Sequence, residues 1–212
     1  MKIAFIYGSP KSKYSASASL LQELKSLLDQ DGIAISEYNF NKPSLNEEEM
    51  GHLKEHDILV FSFPLYVDGI PSHLLNCLTQ LETFFASMNE KDIKVYSIVN
   101  CGFYEGHQTK LAMEMMENWC LKAGLKWGQG LGIGGGGMMV MIKNVPMGQG
   151  PKKSLEKPFR RLANNILNGI SEENIFISPS IPRFLYKLAA EMGWRKSIKA
   201  NGLKTKDLSA RK

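Results

Sequence analysis

Ser9, Lys11, Ser15 and Ser17 fall in one short stretch, GSPKSKYSAS, that joins two patterns of different period. Ahead of it, residues 3–7 form an unbroken apolar run, the mark of a strand buried on both faces of a parallel sheet. Behind it, Leu20, Leu21, Leu24, Leu27 and Leu28 recur at helical spacing. A strand that passes through a polar loop into a helix N-terminus presents backbone N–H groups and the positive helix end to the loop. The ligand that suits such a place is an anion, most often phosphate. The three hydroxyls add donors and Lys11 adds charge. A serine before a helix is also an N-cap, and this stretch alone leaves both roles open. No Gly-Lys-Ser/Thr closes it, so it is not a Walker loop. The second and third glycines of the dinucleotide fingerprint are missing as well.

Two further loops carry residue types suited to a planar ligand. Pro64, Leu65, Tyr66, Val67, Asp68 and Gly69 follow the apolar run at 57–63. Apolar and aromatic residues there form either a flat wall for a ring or a loop folded onto the core with its shape fixed by proline. Asn100, Cys101, Gly102, Phe103 and Tyr104 follow the run at 94–100, where backbone N–H groups can meet a heterocycle's edge. Cys101 has no readable Cys–His pairing, so a covalent cysteine mechanism is not expected. The glycine-rich stretch 128–137 reads as closely approached backbone or as a mobile lid.

The elements that would position these loops alternate along the chain. Strands are expected at 3–7, 33–38, 57–63, 94–100 and 125–133, with helices at 46–55, 72–88, 107–123 and about 158–170 besides the first one. In the helix at 107–123, Ala112, Met115, Met116 and Trp119 are expected to face inward, and Gly124 to terminate it. Five strands with interleaved helices make a doubly wound α/β sandwich. Ligands of such sheets bind outside the carboxyl ends of the strands, so the loops after Tyr7, Phe63 and Asn100 should share one rim.

With 212 residues the chain suits one domain with an extension, read here as 1–172 and a basic arm at 173–212. The net charge of +5 is uneven: residues 183–212 hold nine Lys or Arg against Glu191 and Asp207, or +7, which leaves −2 for the rest. The basic signal therefore belongs to the arm, expected as a helix over 180–200, and nucleic-acid binding by the body is not expected. The arm suits either packing against the domain or a second copy, or an acidic partner or membrane surface. Three cysteines without a metal or pairing pattern, no signal peptide and no membrane-length apolar run point to the cytoplasm.

Taken together, GSPK…SAS, PLYVDGIPS and NCGFYEGHQ resemble the flavodoxin-like NAD(P)H-dependent FMN reductase family, and LGIGGGGM and the ending from Pro182 resemble a subgroup of flavodoxin-like oxidoreductases. The resemblance implies a flavodoxin-like five-stranded parallel sheet with a C-terminal helical extension. It implies FMN phosphate at Ser9, Lys11, Ser15 and Ser17. The isoalloxazine would lie against Pro64, Leu65, Tyr66, Val67, Asp68 and Gly69 and meet Asn100, Cys101, Gly102, Phe103 and Tyr104. It further implies NADH or NADPH as donor, a small-molecule acceptor and a homodimer. The segment 11–14 departs from the family's Arg-x-x-Ser form. The competing classes are a flavodoxin-type electron carrier, usually acidic, and a non-catalytic protein binding through the arm. No catalytic side chain and no metal are expected.

Overall fold

The computed structural model describes residues 1–11, 15–88 and 92–209. Ser12, Lys13 and Tyr14 of the departing segment, and Arg211 and Lys212 of the arm, lie outside them. Two compact units result, Met1–Pro179 and Ser180–Lys212.

The first unit is a parallel sheet with helices on both faces. Its strands are β1 (Lys2–Tyr7), β2 (Ala34–Asn39), β3 (Ile58–Pro64), β4 (Lys94–Asn100), β5 (Lys126–Ile133) and β6 (Ile175–Ile177). They lie in the order β2-β1-β3-β4-β5-β6, all neighbours parallel. The expected sheet of five strands is thus corrected to six. β6 is three residues, Ile-Phe-Ile, paired with Leu131–Ile133 along the free edge of β5. Three residues cannot display a period of two. The unit that carries the sheet spans Met1–Pro179.

The helices are α1 (Ala16–Leu28), α2 (Glu47–Leu53), α3 (Ser72–Ala86), α4 (Lys110–Ala123), α5 (Gly136–Met141), α6 (Glu156–Asn168) and α7 (Arg183–Ala200). One core lies under α3 and α4, where Leu74, Leu78, Leu81 and Phe85 meet Phe61, Phe63, Met116 and Trp119. The other lies under α1 and α6, where Leu20, Leu21, Leu24 and Leu28 meet Phe5, Ile98, Phe159 and Leu162. β3 and β4 are buried on both faces, as their mostly apolar sequence requires, with Ser62 and Ser97 the polar exceptions inside them.

Local signals fix several ends. Ser15 caps α1, its Oγ accepting from the Ala18 N–H at 3.1 Å. Asn46 and Glu49 form a capping box on α2. Gly124 ends α4 in the left-handed region, φ 69°, as expected. The inward stripe of α4 differs from expectation at one position. Met115 is exposed, and Met113 and Cys120 take the buried places. A single 3-10 turn, Gly106–Thr109, precedes α4.

The second unit consists of α7 and a 3-10 turn over Thr205–Ser209. No residue of α7 is buried, and Phe184, Leu188, Met192 and Trp194 are all more than half exposed. Among the described residues no helix is long and apolar enough to cross a membrane.

Candidate functional site

The strand order reverses between β1 and its two neighbours, β2 and β3, and the carboxyl ends of β1, β3 and β4 open onto one cleft of about 400 Å³. Such a switch point is where open α/β sheets hold ligands. Ser9, Lys11, Ser15 and Ser17 line it from the first loop, Pro64, Leu65 and Tyr66 from the second, and Asn100 and Gly102 from the third. The three loops expected to share a rim therefore do so.

The serines are not equivalent. Ser9, Ser15 and Ser17 are all buried. Ser15 Oγ accepts from the Ala18 N–H, and Ser9 Oγ accepts from the Lys11 N–H at 3.3 Å. Each keeps its own proton to donate. Ser17 Oγ instead donates to Asn100 Oδ1 at 2.8 Å, a buried link between the first turn of α1 and the end of β4. Ser62 Oγ fixes the same turn by donating to the Ser17 carbonyl at 3.0 Å. With its oxygen committed to Ser17, Asn100 has its amide N–H groups to offer the cleft.

Backbone ladders hold the third loop in place. Leu65 N–H donates to the Asn100 carbonyl at 2.7 Å, and Cys101 N–H to the Ile133 carbonyl at 2.9 Å. Gly135 and Gly136 N–H donate to the carbonyls of Phe103 and Cys101 at 2.6 and 2.7 Å. A Cβ on Gly136 would stand 2.7 Å from Asn100 Nδ2, so only glycine permits this approach. The glycine-rich stretch is accordingly closely approached backbone at Gly136, and it launches α5.

Several residues tied to the ring by the resemblance do not line the cleft. Val67 and Asp68 form the tip of a tight turn in which Tyr66 and Gly69 exchange N–H···O=C bonds at 3.1 Å. Both tip residues are left-handed, φ 48° and 59°, and Val67 is fully exposed. Gly69 closes the turn. Cys101 is buried and its Sγ faces the carbonyls of Phe103 and Glu105. Burial pushes its thiol above the ordinary range, so it is not a thiolate nucleophile at neutral pH. Phe103 is half exposed, and Tyr104 Oη donates to the Pro179 carbonyl at 3.4 Å. His107 packs edge-on against Phe176.

The cleft also has walls that sequence reasoning did not assign: Ala16, Gly136, Gly137, Val140 and Met141. The signal for the last two was the apolar run Met138–Ile142 directly after the glycines, on a helix too short to show a period. Among the described residues no group of His, Cys, Asp and Glu could hold a metal ion.

No family model matches the chain, and no curated protein matches its sequence. Solved structures do. An NAD(P)H:quinone oxidoreductase from Methanothermobacter marburgensis superposes with a TM-score of 0.56 at 16% identity, over 78% of this chain and 96% of that one. An NADPH-quinone reductase from P. pentosaceus gives 0.56 at 16%, over 78% and 99%. A short-chain flavodoxin associated with a bacterial microcompartment gives 0.56 at 12%, over 81% and 99%. The fold is flavodoxin-like. At these identities the likeness establishes the architecture, and the chemistry has to be argued from the cleft.

Proposed function

We propose that the chain is an FMN-dependent oxidoreductase. It would take hydride from NADH or NADPH and pass electrons to a small acceptor such as a quinone, a nitro or azo compound, a metal complex or free flavin. The observation that carries this reading is the composition of one cleft. Hydroxyl donors at a helix N-terminus, a flat apolar wall and an amide at its floor meet there. The names of structures sharing the fold, two quinone reductases and a flavodoxin, agree with it.

The residues present fit FMN. The N-terminal N–H groups of α1, the protons of Ser9 and Ser15, and Lys11 would hold the phosphate. Pro64, Leu65 and Tyr66 would flank the ring on one side, and Val140 and Met141, the latter largely exposed, would also line the cleft. The Asn100 amide would donate to the ring edge, oriented by Ser17. FMN, when bound, supplies the hydride and electron chemistry. The chain's part is to bind and orient, and no side-chain acid or base is required of it. Homodimerisation belongs to the same reading, since Leu75 on α3 and Leu111 and Met115 on α4 expose apolar surface suited to a second copy.

Quenching of FMN fluorescence on titration with the purified protein tests the binding step. Saturable quenching is expected, and its absence sinks the reading. A flavodoxin-type carrier is the second reading, favoured by the net −2 of residues 1–182. It binds FMN without oxidising NAD(P)H.

A further inference from the structure

α5 gives the cleft Val140 and Met141, yet it is only six residues long and cannot hold itself in place. Its N-terminal end is fixed by the Gly135 and Gly136 N–H groups on the loop after β4. Met139 packs into the core with the leucines of α1, and beyond the other end Lys152 adds a polar tie. This lysine is 3% exposed, in the turn Gly150–Lys152. Its Nζ donates to Glu23 Oε1 on α1 at 2.6 Å and to the Lys143 carbonyl, just beyond α5, at 3.3 Å. One ammonium thus ties the segment behind α5 to the middle of the helix whose first turn carries Ser15 and Ser17. Burying an ammonium is costly unless a counter-charge meets it closely. Neither Lys152 nor Glu23 lines the cleft, and the proposed chemistry has no use for either.

We propose that the Lys152–Glu23 ion pair is a positioning latch, holding α5 to α1 so that Val140 and Met141 form a fixed wall of the cleft. Its effect on flavin rests on the FMN reading; its effect on α5 does not. The pair acts at a distance in sequence, linking residues 129 positions apart. A loss of either partner frees the same segment, so the two residues should behave as one device.

Hydrogen exchange of flavin-free protein reads the latch without cofactor. Lys152→Met and Glu23→Gln should each speed exchange over residues 138–145 about tenfold, while β1, β3 and β4 keep their protection. Unchanged exchange there overturns the proposal. Fluorescence titration reads the consequence. Each variant should weaken FMN and riboflavin by a common factor of about ten, with the double variant no weaker than Lys152→Met alone. Additive losses, or undiminished affinity despite faster exchange, overturn the positioning role. Wild-type protein that binds no flavin overturns the reading of the cleft, and the exchange result then decides the latch by itself. Should Lys152→Met not fold, Glu23→Gln carries the exchange and affinity arms, because the Glu23 side chain is 26% exposed.

Discussion

Ser15 and Ser17 sit two residues apart and have opposite proton arrangements, which separates their roles. Ser15 retains a proton for a ligand, whereas Ser17 gives its proton to Asn100. Ser15→Ala should therefore weaken FMN about tenfold while barely changing riboflavin, which lacks the phosphate. Ser17→Ala should weaken both alike by releasing Asn100, and should also cost about 1–3 kcal/mol of stability by leaving a buried carbonyl oxygen unpaired. Fluorescence titration with the two flavins, alongside urea unfolding, separates these outcomes. Val67 is a second residue with a defined cost. A β-branched side chain at φ 48° is strained, and the exposed tip offers no packing in return. Val67→Asn should raise stability by about 1 kcal/mol, seen as a higher urea midpoint. A lowered midpoint would mean the valine side chain contributes contacts after all.

Among the elements, the edge formed by β5, α6 and β6 carries a polar network beside its apolar core. Glu172 accepts from Arg161 Nε and Asn165 Nδ2, both at 2.6 Å, and from Gln129 Nε2 at 3.4 Å. The Arg161 hydrogen bond first, and Asn165 second, lower its pKa to about 2 from an ordinary 4.5. The sign follows from linkage. A carboxylate whose pKa is depressed on folding contributes stability that is fully present above its unfolded value and is lost as pH falls through its folded value. Unfolding free energy should thus decline between about pH 4.5 and 2, and Glu172→Gln should flatten that limb in acid titrations followed by circular dichroism. This edge is also where the sequence was least legible. Ile175–Ile177 is too short to show alternation, and the irregularity in β4–β5 pairing at Val95/Tyr96 falls opposite Gly128, where a Cβ would strike the Tyr96 ring. By contrast β1, β3 and β4 announced themselves, because burial on both faces favours mostly apolar runs. In the candidate site, the three loops were legible because each follows such a strand. α5 was not, because glycines and methionines in a six-residue helix carry no periodic signal. The Met113/Met115 exchange on α4 had a similar origin, since either methionine can complete an apolar stripe in the sequence.

For the whole molecule, charge and structure divide at nearly the same place. The unit Met1–Pro179 contains every residue lining the cleft, and the basic, exposed helix α7 lies in the other unit. A chain ending at Pro179 should therefore fold and bind FMN within about twofold of the full chain. Any association with acidic partners or anionic vesicles should disappear with residues 180–212. Loss of flavin binding on truncation, measured by the same fluorescence titration, would instead assign the arm a part in the site. The central claim is that the cleft orients a flavin for reduction by a nicotinamide. It is tested most directly by the visible spectrum of the FMN-loaded protein titrated anaerobically with NADH and with NADPH. The account predicts that at least one of them bleaches the flavin band at a rate well above that of free FMN. A band that neither nicotinamide bleaches contradicts it.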